Sequence, residues 1–393
     1  MNYITEQNRI FAQNESGKVL AEITFPVSDN TATINHTFVD ESLRGQGIAS
    51  ELVEMAYLQI LKQGYDIQCT CSYAKKWMET HIIKVGHEQT YTFMDKDNVP
   101  SATVHSGDYV EISTELNGGD WLQTTEDRWA PGKSKGPNRP VVIGVENAQP
   151  GDTLQIDILN IVPGPVGYTG FAGWRTKLPG IIWPDAKDWD VVTKTVSISQ
   201  DGVRWSDSLK LPLEPMIGTI GTAPQGEKET NYYAWHNGGN MDVQEIRKGT
   251  TLYLPVSVDN ALLHVGDCHA IMGDGEIPFG GAIECRATVT LKVSVLKGYK
   301  AKEWLRAEDE EYLMTIANED KMKDSFCGAV RELMHWMSED YGFTPQEAYL
   351  LLGSVLEARC TMLHGDDGRF SPYIAKIKKK YLHADKHTEW RKP

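Results

Sequence analysis

The sequence predicts a multidomain chain: a small α/β domain, then a mainly-β sandwich or barrel domain with a C-terminal helical segment. Three observations predict this. Within residues 1–95 the hydrophobic period switches from strand-like to helix-like and back. The polar stretch Asp95-Lys-Asp-Asn-Val-Pro-Ser101 then breaks all periodicity, as a linker does. Beyond it, short Val/Ile/Thr-rich runs are punctuated by Gly and Pro. The length, 393 residues, also exceeds the roughly 100–200 residues of one domain.

In the first domain (1–95), Val19 to Phe25 and Ala32 to Val39 alternate apolar and polar residues around the turn signal Ser28-Asp29-Asn30, which predicts a hairpin. Ile48, Leu52, Met55, Ala56 and Ile60 then form the stripe of an amphipathic helix capped by Gly64. Ile67 to Cys71 reads as a third strand and Ala74 to His81 as a short helix. Residues 96–102 are the expected linker. In the second domain (103–393), strands are predicted at Asp108 to Thr114, Val141 to Val145, Thr153 to Ile158, Val191 to Ile198, Thr250 to Val258 and Ala287 to Val295. A helical tail (about 301–385) follows. Met322, Phe326, Val330, Leu333 and Met337 trace one helix face, and Thr344-Pro-Gln-Glu347 is a capping box opening a helix that buries Ala348, Leu351, Leu352, Val355 and Leu356.

Composition narrows function. Hydrophobic residues make up 40% and charged residues 24%, which suits packed cores and excludes disorder as the main state. Thirty-nine Lys plus Arg against 54 Asp plus Glu leave a charge of −15, the wrong sign for nucleic acid or an anionic bilayer. No run approaches the roughly 18 apolar residues of a membrane span, and the start carries no signal-peptide pattern, so a cytoplasmic protein is expected. The six cysteines form no CxxC pair and read as reduced thiols. The partners expected are small molecules, with no nucleic acid and no membrane, in a homo-oligomer.

Two regions carry chemistry. Arg44-Gly-Gln-Gly-Ile-Ala49 lies just before the amphipathic helix, where Gly45 and Gly47 leave backbone N–H groups open and the helix dipole adds positive potential, a setting for a pyrophosphate. Further on, three polar pairs stand two residues apart: Asn240 with Asp242, Asp267 with His269, and Asp274 with Glu276; Glu284 follows. On an extended backbone, residues i and i+2 point the same way, so each pair can offer two ligands to one point. Carboxylate, amide oxygen and imidazole form a mixed O/N set suited to Zn²⁺ or another divalent ion. The alternative is that Gly-Gly-Asn and Gly-Asp-Gly are ordinary turns. Trp174, Trp183 and Trp235 are candidates for the wall of a small apolar pocket.

Arg-x-x-Gly-x-Ala before an apolar helix resembles the acetyl-CoA pyrophosphate loop of GNAT-type N-acetyltransferases, and Cys71-Ser-Tyr with Trp77 and His81 resembles their short single-domain subgroup (about 3–90). The resemblance implies acetyl-CoA binding at Arg44, Gly45, Gln46, Gly47, Ile48 and Ala49, and makes Cys71 a candidate acyl acceptor or nucleophile. The run Gly-Gly-Asn-Met-Asp242, Leu-Pro-Val256, Gly-Asp-x-His269, Gly-Asp-Gly-Glu276 and Ala-Ile-Glu284 resembles the acetamidase/formamidase family, as do Pro150-Gly-Asp152 and Met216-Ile-Gly-Thr-Ile-Gly-Thr-Ala-Pro224 (about 103–385). This implies hydrolysis of a small aliphatic amide to carboxylate and ammonia. A metal-activated water is the expected nucleophile, with Asp242 and His269 as ligands, Asn240 and Asp267 as further ligands or their supports, and Glu284, then Glu276 and Asp274, as acid/base. His236 is a further candidate, although here Trp235-His-Asn237 departs from the family's Pro-x-His before Gly-Gly-Asn. The rival reading is a non-catalytic or regulatory binding protein in which the GNAT-like unit senses acetyl-CoA or mediates assembly.

Overall fold

A computed structural model describes residues 1–136, 138–171, 178–277, 281–299, 301–363 and 370–382. The chain forms two compact units, Met1–Ile83 and Lys84–Pro393.

In the first unit, Ile4–Glu6, Arg9–Gln13, Val19–Thr24 and His36–Val39 form an antiparallel sheet in that order. The expected hairpin forms between Val19–Thr24 and His36–Val39, and a smaller one sits inside it. Val27–Ser28 pairs with Thr31–Ile34 across Asp29 (φ 46°) and Asn30 (φ 66°), the two left-handed residues that a tight hairpin turn requires. Thr31–Ile34 also runs parallel to Asp66–Cys69, the strand expected at 67–71. Helix Ile48–Gln63 starts at Gly47 and stops at Gly64 (φ 83°), burying Ile48, Leu52, Val53, Ala56, Tyr57, Ile60 and Leu61. Helix Ser72–His81 follows, with Trp77 buried and donating to Ser50 Oγ at 2.7 Å.

The second unit is mostly β. Its frame is two long strands, Thr153–Phe171 and Glu284–Leu296, paired antiparallel over most of their length with two register shifts. Each also serves other neighbours: the first pairs with Val192–Ser199 and Thr251–Pro255, the second with Asp108–Ser113 and Leu263–His269. Hydrogen bonding is thus continuous where a plain sandwich would have two separate sheets.

Three expectations change. The tail is not purely helical: strands Leu305–Glu308, Tyr312–Ala317, Glu357–Cys360 and Tyr373–Lys378 extend the sheet, and helices Met322–Tyr341 and Pro345–Val355 pack on it. The buried face of Met322–Tyr341 carries Ser325, Ala329, Glu332, Leu333, Trp336 and Met337, so the expected stripe is right in Leu333, Met337 and the partly covered Val330, while Phe326 is exposed. Pro345–Val355 has the Thr344/Glu347 capping box and buries Ala348 and Leu352, while Leu351, Val355 and Leu356 are partly covered.

The third change is the boundary, which falls at 83/84 and not at 95–102. Residues 96–102 are no linker, because their polar groups are spent inside the second unit. Asn98 Nδ2 lies 2.9 Å from Nε2 of the buried His264, Ser101 N–H donates to Val142 O, and Phe93–Met94 pairs with Glu229–Thr230. Among the described residues, no helix is long and apolar enough to cross a membrane.

Candidate active site

Four strand segments bring the site together. Asn240 ends Gly238–Asn240 and lies opposite Thr219 of Met216–Thr222; Thr219 also lies opposite Gly266 of Leu263–His269; and His269 pairs with Glu284. Asp242, Asp267, His269 and Glu284 are all buried, and Glu276 is half-buried. His269 Nε2 is the hub, 3.2 Å from Glu284 Oε2, 3.6 Å from Asp267 Oδ1 and 3.8 Å from Asp242 Oδ1. One ligand atom from each of Asp242, Asp267 and His269, and one from each of His269, Glu276 and Glu284, lie within 4.8 Å of one another.

The convergence does not arise from extended pairs. Asp242 (φ 45°), Asp267 (φ 59°) and Glu276 (φ 39°) are all left-handed, and that twist turns their carboxylates inward. The premise fails outright for Asp274, an expected acid/base: its side chain is 63% exposed and pairs with Arg359 Nε at 2.7 Å, while Glu276 alone turns to the cluster. His236 is also elsewhere, exposed and stacked on Trp304 with ring centroids 3.9 Å apart. Trp183 is 60% exposed, Trp235 packs with Tyr233 and Phe370, and Trp174 lies outside the described residues.

Support comes from residues to which sequence reading gave no role. Asn138 Nδ2 lies 2.7 Å from both Asn240 Oδ1 and Asp267 Oδ2, and the Thr219 hydroxyl reaches the same two oxygens at 2.9 and 3.0 Å. Asn138 and Thr219 therefore tie Asp267 to Asn240, whose amide oxygen is already engaged. Asn117 Nδ2 donates to Glu284 Oε1 at 3.2 Å, which fixes that carboxylate and leaves Oε2 facing His269. Thr219 and Gly218 lie inside the Met216–Pro224 run, which was their one signal; Asn117 and Asn138 sit in loops with none.

Asp242 Oδ1, Asp267 Oδ1, Glu284 Oε2 and both ring nitrogens of His269 are buried without a hydrogen-bond partner. So many acceptors facing one another around one imidazole are costly without a cation or shared protons. Burial, then the charge of Asp267, pushes Asp242 up to about 7. Burial likewise raises Glu284, and burial with Asp242 holds Glu276 well above the usual carboxylate range. For His269 burial acts downward, but Glu284 and Asp267 outweigh it and hold the imidazole well above its ordinary value. An O/N set with orphaned inward atoms suits a divalent cation, zinc among them.

In the first unit, the expected acetyl-CoA loop is a tight turn. Gly45 (φ 78°) and Gly47 (φ 79°) are both left-handed, Gly47 caps the helix without a side-chain bond, and Arg44 is exposed beside Glu41 at 3.3 Å. Gln46 is exposed, Ala49 is the second residue of the helix, and the Ile48 side chain belongs to the core. Cys71 precedes helix Ser72–His81 with Sγ 3.4 Å from Thr37 Oγ1. Burial would raise its thiol pKa, but bonds from Thr37 and from the Ala74 and Tyr73 amides prevail and lower it.

The known proteins that this chain resembles are amide hydrolases. Residues 232–363 match the Acetamidase/Formamidase family model, and residues 9–83 match that of the GCN5-related N-acetyl-transferases. The crystal structure of an acetamidase from Bacillus halodurans superposes with a TM-score of 0.69 at 33% identity, covering 77% of this chain and 100% of that one. An acetamidase from Mycolicibacterium smegmatis is 27% identical over 54% of this chain and 71% of its own length. A formamidase from Methylophilus methylotrophus is 28% identical over 39% of this chain and half of its own. The chain belongs to the acetamidase/formamidase family.

Proposed function

We propose that the second unit hydrolyses a small aliphatic amide to a carboxylate and ammonia with a water activated by a divalent cation, zinc by preference. The observation that carries this reading is the set of unpartnered inward atoms on Asp242, Asp267, His269 and Glu284. Asp242, Asp267 and His269 would hold the cation, which there would lower the pKa of a water toward 7 and polarise the substrate carbonyl. Glu284, clamped by Asn117, takes the water proton at Oε2 and delivers it to the leaving nitrogen. Glu276 stands beside it as a second proton carrier. The experiment is elemental analysis of the purified chain alongside ammonia release from formamide and acetamide. Asp242→Ala and His269→Ala are expected to lose bound metal and activity together. Full activity without stoichiometric metal overturns the mechanism.

The first unit, in this reading, binds acetyl-CoA through Arg44 to Ala49, with pyrophosphate on the open amides at the start of a 16-residue helix. Calorimetry with acetyl-CoA tests it. Gly47→Val, which forces a β-branched residue into φ 79°, and the milder Arg44→Ala are both expected to weaken binding. Unchanged affinity in both removes the loop from the reading.

A further inference from the structure

A cavity opens in the second unit, and none of the carboxylates around His269 lines it. Its volume is about 320 Å³, the low end of the roughly 300–1,000 Å³ typical of small-molecule pockets. Glu229, His236, Asn237, Tyr253, Ser257 and Trp304 are among its walls.

Two polar groups of this wall, Glu229 and His236, can accept hydrogen bonds from a ligand. Glu229 Oε2 is buried with no hydrogen-bond partner, while Asn237 is within hydrogen-bonding reach of the same carboxylate. His236 Nδ1 lies 2.9 Å from the Glu303 carbonyl oxygen. A carbonyl cannot donate, so Nδ1 carries the proton, and in that tautomer Nε2 is an acceptor. The two other charged wall residues are spent elsewhere: Lys302 Nζ pairs with Glu339 at 3.3 Å and Glu303 with Arg331 at 2.7 Å. Among the described residues, Glu229 is thus the wall carboxylate left without a cationic partner.

The wall is also rigid. Glu332, fully buried on helix Met322–Tyr341, accepts the backbone N–H groups of Lys302 (3.1 Å), Glu303 (2.8 Å) and Trp304 (3.3 Å). That clamp holds the Trp304 ring against His236 and keeps an aromatic surface, with Tyr253, beside the carboxylate. A carboxylate with a free buried oxygen, a second acceptor and two aromatic rings is the donor-seeking, cation-seeking counterpart of an organic ammonium group.

The geometry points to a ligand site for a small organic ammonium compound, its charged nitrogen on Glu229 and His236 and its apolar body on Trp304 and Tyr253. It is separate from the hydrolytic site and does not depend on that reading.

Calorimetry of the full chain with benzylammonium, and with benzyl alcohol as the neutral isostere, tests this. Saturable binding of benzylammonium is expected, with benzyl alcohol much weaker. Glu229→Gln keeps the shape of the side chain and is expected to weaken benzylammonium about 10–100-fold while ammonia release from the amide substrate is unchanged. His236→Phe retains the stacking on Trp304 and is expected to cost several-fold. No saturable heat at about 10 mM benzylammonium, or equal affinity in Glu229→Gln and the unmodified chain, overturns the proposal. So does equal binding of the alcohol.

Discussion

A Cβ placed on Gly218 would stand 2.5 Å from Asp242 Oδ1 and 2.9 Å from Asp267 Oδ2, so the absence of a side chain there is what lets two buried carboxylates approach each other. The backbone contributes too. Left-handed φ at Asp242, Asp267 and Glu276 costs roughly 1–2 kcal/mol per non-glycine residue, and stability is spent on aim. Asn138, Thr219 and Asn117 hold the result in place. Glu284 is the residue whose role separates most cleanly from metal binding. Glu284→Gln preserves shape and the contact with Asn117 but cannot shuttle a proton. Metal content by elemental analysis is expected to persist while ammonia release falls by about 10²–10⁴-fold. Turnover at the unmodified rate would pass the acid/base role to Glu276. The sequence showed which residue types were present, and five of the seven polar residues it singled out between 240 and 284, namely Asp242, Asp267, His269, Glu276 and Glu284, do converge. It could not show that Asp274 would swing out to Arg359, because spacing of two fixes direction only on an extended backbone and this loop is left-handed at Glu276.

Among the elements, helix Met322–Tyr341 is held by a charge at its centre as much as by apolar contacts. Arg306, fully buried on strand Leu305–Glu308, donates to Glu332 Oε1 at 2.7 Å and to Glu339 Oε2 at 2.9 Å, with Trp336 packed over its guanidinium. Periodicity alone placed the helix correctly but turned part of its face, because a search for apolar residues counts Phe326 and passes over a buried Glu332 and Ser325. Glu332→Ala would strand the Arg306 charge in the core and free three backbone donors of residues 302–304. Denaturant titration is expected to show a loss of about 3–5 kcal/mol. A loss under about 1 kcal/mol would mean that water or Glu339 satisfies Arg306 alone.

For the whole molecule, the question is where the chain can be cut. The composition break at 95–101 is real in the sequence, yet it marks a polar surface segment of the second unit, and polar loops of a domain look like linkers to any reading based on periodicity. The hydrogen bonds decide the matter. A fragment beginning at residue 103 lacks Asn98, which leaves His264 Nε2 buried without its partner. It also lacks Thr90, which donates to the buried Glu115 at 3.0 Å, the backbone oxygen of Tyr91 that accepts from buried Asn231 at 2.9 Å, and the strand Phe93–Met94 beside Glu229–Thr230. The orphaned His264 acceptor costs about 1–3 kcal/mol, while Glu115 keeps Arg139 and Lys135 and Asn231 keeps Asn138, so each of these loses one bond worth about 0.5–1.5 kcal/mol; together roughly 2–6 kcal/mol is a large share of the 5–15 kcal/mol typical of a domain. Residues 84–393 expressed alone are therefore expected to give a cooperative unfolding transition and full metal content and ammonia release. Residues 103–393 are expected to aggregate or to melt at least 10 °C lower, on the scale of roughly 2–4 °C per kcal/mol for a domain of this size. Equal melting temperatures for the two fragments would show that segment 84–102 carries no stability and would restore the boundary near residue 100.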